Sequence, residues 1–323
     1  MMGKQNILIT GISGQDGAFL ANRFLSDNSM KYNIYGTSRQ KSSLALKKIN
    51  SLGSNVNDLK IVQIDLTDPS EVLKLISDIK PNQVFNLSGP SSVYDSINNA
   101  NYFETTINKI FDNLINAFIH LRIFPVFFQA CSSEMFSKNN SMPLNEESIF
   151  DPRTPYAKAK FTTFEKLNLL KEKYDWNIKS GIMFNHESEL RDSNYLFMKI
   201  FNSAKLIKSN KQESLELGSI DIARDWSFAG DVANAMFLMN QSDCVNNFVI
   251  GSGKATTIKE LISKVSSLYE INLEKYVVVN PSLMRQGDPD VIVSDPSKIM
   301  QTLNWSPEYT LDDLLERIYS NLN

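Results

Sequence analysis

The chain has 323 residues, 42% of them hydrophobic and 21% charged, enough to bury a large core in one large or two modest domains. Its 33 Lys and Arg against 36 Asp and Glu give a net charge of −3, with no basic tract to follow a phosphate backbone, which excludes nucleic acid as the expected partner. No apolar run approaches the roughly 20 residues that span a bilayer, and the apolar run of MMGKQNILIT is too short for a signal-peptide core, so no membrane partner is expected.

The first predicted strand, over 6–10, runs into TGISGQDGAFL, which sets Gly11, Gly14 and Gly17 on the turn into a helix predicted over 18–25. Glycine serves where the backbone turns with positive φ and where it must approach a pyrophosphate. The helix N-terminus then offers N–H groups and the positive end of a dipole. Tight turns also use glycine, but strand before and helix after favour dinucleotide binding.

The second strand, over 33–37, ends in GTSRQKSS. An acidic residue there would accept hydrogen bonds from the ribose of NAD. Ser38, Arg39, Lys41 and Ser42 stand there instead, and Arg39 suits the 2′-phosphate of NADP. A solvated basic loop is the competing reading. A third strand over 60–64 leads to Asp65, set to meet an adenine edge, although a helix cap accounts for it almost as well.

Helical periodicity over 71–79 and 102–121 alternates with strands over 83–87 and 126–130. Strand and helix in alternation imply right-handed crossovers and a parallel sheet: an α/β, doubly wound nucleotide-binding fold.

The fifth strand ends in CSSE, and TPYAKAK follows with Tyr156 and Lys160 four residues apart on one face of a predicted helix. A lysine one turn away stabilises a tyrosinate and lowers the phenol from about 10 toward the working pH. Tyr156 is then a base for a sugar hydroxyl. On an exposed helix the same pair would be a surface contact, and the serine at the preceding strand end gives the catalytic reading its force. A carboxylate beside such a site is what an elimination needs and a simple alcohol oxidation does not. For Glu134, a helix cap or surface carboxylate is the plain alternative.

After about residue 184 the alternation weakens, and isolated strand signals remain at 215–217, 248–250 and 277–279. The expected organisation is a cofactor-binding domain over 1–184, with 225–250 returning to it, and a smaller substrate-binding region over 185–224 and 251–323. Cys131 and Cys244 are too far apart for a disulfide framework, so a cytoplasmic setting is expected. His120 and His186 lie in no metal-ligand spacing, and no metal is expected.

The glycine motif, the strand-end serine and the Tyr156 and Lys160 pair resemble the extended short-chain dehydrogenase/reductase family of nucleotide-sugar enzymes, and within it the GDP-mannose 4,6-dehydratases. GISGQDGAFLA, DLTDPSEVLKLISDIKP, FQACSSEMF, RTPYAKAK, GIMFNHES, LGSIDIARDW and SDPSKIMQTLNWSP follow that family's order across nearly the whole chain. The resemblance implies a Rossmann fold, NADP as cofactor and a nucleotide sugar, GDP-mannose first, as substrate. Tyr156 and NADP would oxidise carbon 4 of the hexose, and Glu134 would remove the proton of carbon 5. That carboxylate would also help expel the hydroxyl of carbon 6 as water, and hydride would return to carbon 6 and a proton to carbon 5. Ser132 stands where the family usually has threonine and keeps the hydroxyl.

The resemblance further puts Gln15, Asp16, Leu66 and Leu87 beside the cofactor, with Gly11, Gly14, Gly17, Arg39, Asp65, Tyr156 and Lys160. It puts Ser91, Asn185, Glu187, Lys199, Arg224 and Arg285 beside the substrate, the cations meeting its diphosphate. His186 reads as a packed core histidine. Three positions depart from the family: Pro90 and Ser92 replace Gln and His, and Met198 replaces Arg. A related epimerase or 4-keto reductase would share Tyr156 and Lys160 without requiring Glu134. A silent NADP-binding scaffold or sensor would require none of the catalytic groups. Assembly as a homodimer or homotetramer, through helices that include the one bearing the tyrosine, is also implied.

Overall fold

The computed structural model describes residues 4–27, 32–284 and 287–323. Strands β1 (Gln5–Thr10), β2 (Tyr32–Ser38), β3 (Leu59–Gln63), β4 (Gln83–Asn86), β5 (Val126–Ser132) and β6 (Ile178–Met183) alternate with helices α1 (Gln15–Leu25), α2 (Ser42–Ser51), α3 (Pro69–Ile79), α4 (Val93–Asn98), α5 (Ala100–Leu121) and α6 (Pro155–Tyr174). The later elements are β7 (Asn185–Glu187), α7 (Leu196–Lys208), β8 (Leu215–Leu217), β9 (Ala223–Phe228), α8 (Ala229–Gln241), β10 (Asn247–Ile250), β11 (Ala255–Thr257), α9 (Ile258–Tyr269), β12 (Val277–Val279), β13 (Val291–Ile292), α10 (Ser297–Leu303) and α11 (Leu311–Leu322).

The large sheet has seven parallel strands in the order β10-β6-β5-β4-β1-β2-β3, and the order reverses beside β1. Its central strands are buried on both faces, as a parallel sheet between two helical layers must be. Alternation along each strand divides the core. Ile7, Ile9, Phe85 and Phe128 face one layer with α1 and α8, while Leu8, Val84 and Phe127 face the other with Phe118 and Trp176. Each such side chain contributes about 1.5–3 kcal/mol by leaving water. That rigid layer fixes the strand ends on which the site is built.

A second sheet joins β11, β9 and β13, with β7 parallel to the later part of β9, Trp226 to Phe228. Within 225–250, β10 is the outer strand of the large sheet and α8 lies against α1, whereas the stretch up to Phe228 belongs to the second sheet. The residue types explain both. β9 is a short strand that continues directly into α8, whose Val232, Met236 and Phe237 pack into the core shared with α1.

Local chemistry sets the helix starts nearest the site. Thr154 accepts a hydrogen bond from the Ala157 N–H and Pro155 opens α6, which places Tyr156 in the first turn. Gly11 has φ +71, and a Cβ there would come within 3.0 Å of the Leu87 carbonyl oxygen. A Cβ on Gly17 would fall 2.6 Å from the Gly11 carbonyl oxygen, so α1 can approach the turn only with glycine at that position.

Candidate active site

A cleft of about 430 Å³ opens at the carboxyl ends of the large sheet's strands, where the strand order reverses. Its first half lies over the glycine turn. Among the described residues no side chain caps the start of α1 at Gly14, so the helix's first N–H groups are available to an anion. Thr37, on the cleft wall, holds a buried hydroxyl that finds no hydrogen-bond partner within the described residues. Ser38 Oγ donates to Ser13 Oγ at 3.1 Å, and the exposed Arg39 reaches Tyr102 with Nη1 3.3 Å from its hydroxyl. Asp65 Oδ1 accepts from both the N–H and the hydroxyl of Thr67 at 2.9 Å, and these bonds hold its carboxyl below the usual range. An uncapped helix start and an orphaned hydroxyl beside the glycine turn fit a dinucleotide.

The second half is built on the end of β5 and the start of α6. Ser132 Oγ accepts from the Glu134 N–H at 3.3 Å and so caps the single 3-10 turn that carries Glu134. Ser132, Glu134, Tyr156 and Lys160 all line the same cleft. Lys160 Nζ donates to the Ala130 carbonyl at 2.8 Å and stands 5.8 Å from the centre of the Tyr156 ring. The phenol is not lowered toward neutrality, contrary to the expectation from the lysine four residues on. Burial pushes it up from its ordinary value, the Ser132 hydroxyl offsets part of this, and the Glu134 charge adds to it. Burial likewise lowers Lys160. Spacing along a helix discloses the partner but not the desolvation, and desolvation is the larger effect.

A third group comes from the segment after β6. Asp16, at the start of α1, lies 3.0 Å from His186 Nε2, while His186 Nδ1 lies 2.7 Å from the Phe184 carbonyl oxygen. With an acceptor at each ring nitrogen, the imidazolium is the form that satisfies both. Burial works against that charge, but Asp16 outweighs it and the histidine is raised above its ordinary value. His186 is therefore an ion-paired wall residue and not a packed core histidine. Gln15 holds the same segment, donating to the His186 carbonyl and accepting from Ser188 Oγ, each at 2.9 Å. Arg191 Nε lies 3.1 Å from the buried Glu187 Oε2, and its guanidinium stacks 4.0 Å from the centre of the Tyr195 ring. The Tyr195 hydroxyl meets Ser91 Oγ at 2.8 Å.

The sequence family is decided by the matches. The model for GDP-mannose 4,6 dehydratase covers residues 8–318. A human protein named GDP-mannose 4,6 dehydratase is 32% identical over 343 residues, a span of 98% of this chain and 91% of that protein. The chain belongs to the GDP-mannose 4,6-dehydratase family. Solved structures add the fold. A dTDP-glucose 4,6-dehydratase from Bacillus anthracis in complex with NAD superposes with a TM-score of 0.83 at 17% identity, covering 98% of this chain and 96% of that one. RMD from Pseudomonas aeruginosa complexed with NADPH gives 0.79 at 20% identity, covering 98% and 97%. The fold is thus the Rossmann fold of nucleotide-sugar enzymes, and neither the epimerase or reductase alternative nor the silent scaffold is favoured.

Within this dehydratase-family chain the cleft gathers Gly11, Gly14, Gln15, Asp16, Gly17, Arg39, Asp65, Leu66, Leu87, Ser91 and Asn185 with Ser132, Glu134, Tyr156 and Lys160. Lys199 and Arg224 are not brought to it. Arg224 is 3% exposed, with Nη2 2.7 Å from Asp288 Oδ1 and Nη1 donating to the Pro289 carbonyl at 3.0 Å. Burial demands a counter-charge, and Asp288 supplies one. Arg285 lies outside the described residues. Glu187 touches Arg191 and leaves the cleft wall to it. The departures from the family pattern acquire local explanations. Pro90 lines the cleft, Ser92 caps α4 by accepting from the Asp95 N–H at 3.1 Å, and Met198 is buried in the large core cluster. Arg191 and Tyr195 were not singled out from the sequence. The signal for Arg191 is its place four residues after Glu187, the spacing of a local ion pair.

Proposed function

We propose that the protein converts GDP-mannose to GDP-4-keto-6-deoxymannose with NADP as a resident cofactor that is regenerated in each turnover. NADP, when bound, supplies the acceptor for the hydride of carbon 4 and the donor of hydride to carbon 6. Arg39 at the end of β2, where a carboxylate would select NAD, supports NADP over NAD. The uncapped start of α1 is suited to the pyrophosphate.

The protein's own groups divide the proton work. Tyr156, in the phenolate form that its burial otherwise disfavours, accepts the proton of the 4-hydroxyl. Ser132, whose hydroxyl favours the phenolate form, orients that exchange. The Lys160 ammonium, held by the Ala130 carbonyl, stabilises negative charge on the ring oxygen as it forms. Once carbon 4 is a ketone, the proton on carbon 5 is acidic, and the Glu134 carboxylate removes it. The protonated Glu134 gives that proton to the departing hydroxyl of carbon 6, which leaves as water, and carbon 5 takes up a proton from solvent in the last step. Asn185, after β6, and Ser91, in the loop after β4, line the same cleft and are the polar groups offered to the sugar nucleotide.

The observation that carries this reading is the common cleft of Tyr156 and Glu134. An epimerase or 4-keto reductase has no elimination for the carboxylate to perform. The same proposal divides the chain into a cofactor region, 1–184 with α8 and β10, and a sugar-nucleotide region made by 185–224 and 251–323. It includes a homodimer or homotetramer, supported by Leu169 on α6 at 67% exposure and Tyr102 on α5 at 48%. A cytoplasmic setting, consistent with free Cys131 and Cys244, belongs to it as well. Purified protein incubated with a panel of sugar nucleotides and followed by mass spectrometry should lose one water from GDP-mannose. Loss of water from another sugar nucleotide alone would overturn the substrate, and mass-neutral conversion would move the epimerase reading ahead.

A further inference from the structure

The proposed cycle reduces the cofactor in its first half and needs it back in its second. A reduced cofactor that escapes between the halves strands the sugar as a ketone, so retention is part of the chemistry.

Residues 188–195 contribute Leu190, Arg191, Asp192 and Tyr195 to the cleft lining, and they are tied to elements on either side of the cofactor half. At the inner end Ser188 is bonded to Gln15 of α1. At the outer edge Lys48 Nζ, on α2, stands 3.5 Å from Asp192 Oδ1, and both residues line the cleft. On the other side the Tyr195 hydroxyl meets Ser91 at 2.8 Å, in the loop after β4. Behind the segment, Arg317 of α11 holds Glu189, with Nη2 2.6 Å from Oε1. The backing to α11 is a double contact, since Arg317 Nε also lies 2.9 Å from Glu189 Oε2. The segment is therefore anchored from behind and bridged to two elements that bracket the cofactor half. Of these two bridges, only the one to α2 is an ion pair.

We propose that Lys48 and Asp192 form a clasp that keeps residues 188–195 closed over the cofactor and retains it within a turnover. The proposal rests on the NADP-dependent reading given above. Lys48 is 28% and Asp192 73% exposed in their side chains, so water screens the pair and its contribution is modest. A modest contribution is suited to a cofactor that must be held for one cycle and still exchange.

The test measures release directly. Wild type, Lys48→Ala, Asp192→Ala and the exchanged pair Lys48→Asp with Asp192→Lys are loaded with NADPH, and the loss of nicotinamide fluorescence is followed after addition of excess NADP. Thermal midpoints of the four proteins check that each is folded. Each single variant should release NADPH roughly two- to fivefold faster than wild type. The exchanged pair should return to within about twofold of it. Unchanged release in both single variants overturns the clasp, and so does an exchanged pair no slower than the single variants. Faster release from Lys48→Ala alone, with Asp192→Ala unchanged or slower, also overturns it, because Lys48 would then act on the cofactor itself. A wild type that binds NADPH but dehydrates no sugar nucleotide would sink the function while the release rates still decide the clasp. One that binds no NADPH overturns both.

Discussion

The two walls of the cleft are made in different ways. One wall is the ends of β1, β2, β4 and β5 with the starts of α1 and α6, so each functional side chain is placed by the element that carries it. Ser132 ends a strand, Glu134 rides the turn that Ser132 caps, and Tyr156 sits in the first turn of a capped helix. The opposite wall, residues 185–195, has only a three-residue strand of its own. It is placed by contacts across long stretches of chain: His186 to Asp16, Ser188 to Gln15, Glu189 to Arg317 and Tyr195 to Ser91. The difference teaches that the first wall should tolerate loss of any one polar contact in its shape and fail in its chemistry. The second should respond in its shape, and so in affinity.

Tyr156→Phe separates chemistry from shape most strongly. It keeps the ring packed against Phe103, Ile107 and Ala159 but removes the hydroxyl proposed as the proton acceptor. Reduction of bound NADP by GDP-mannose should fall by about 10²–10⁴-fold, while the thermal midpoint stays within a few degrees. A variant that still reduces the cofactor at the normal rate would transfer the base role to another group.

Arg39→Ala addresses the cofactor end of the same wall. Charge-assisted contacts to a phosphate contribute about 1.5–3 kcal/mol, so the preference for NADP over NAD should narrow by roughly ten- to a hundredfold. Titration with the two cofactors measures it. Equal affinity of the unmutated protein for both would remove the basis of the preference.

Asp16→Asn probes the second wall and should have the smallest effect. His186 is raised above 6.5, so the pair's contribution to stability is fully present below about 6.5 and is lost as pH rises through the histidine's folded value. Asp16 is lowered below 3.8, so the same pair is also lost as pH falls through that carboxyl's folded value. Thermal midpoints of wild type and variant should therefore differ most between these limits, and converge as the histidine loses its proton. In the variant, the imidazole resonances should titrate at lower pH. A difference that persists unchanged to alkaline pH would mean that the pair is held by hydrogen bonding of a neutral ring.

How much of this was legible in the sequence follows the same division. The glycine turn, the strand-end serine and the tyrosine with its lysine are local patterns, and each lies where its element puts it. The alternation of strand and helix likewise carries the parallel sheet, since periodicity is a property of neighbouring residues. The His186 and Asp16 pair was not legible, because 170 positions separate its members and only the tertiary fold joins them. Burial was the other hidden quantity. It reverses the direction expected for the Tyr156 phenol and takes Arg224 out of the cleft into a pair with Asp288. Helix α2 escaped because SSLALKKINS has only two buried positions, Ala45 and Ile49, too few for a clear apolar stripe.

The central claim is that Glu134 does the work that distinguishes elimination from oxidation. Glu134→Gln keeps the size of the side chain and its place on the turn capped by Ser132, but removes its basicity. In heavy water with GDP-mannose, nicotinamide absorbance reports the oxidation of carbon 4, and deuterium in the recovered sugar reports exchange at carbon 5. The variant should still reduce bound NADP, while deuterium uptake and the 6-deoxy product both fall by about 10²–10⁴-fold. Deuterium uptake and product formation at the wild-type rate would contradict the account.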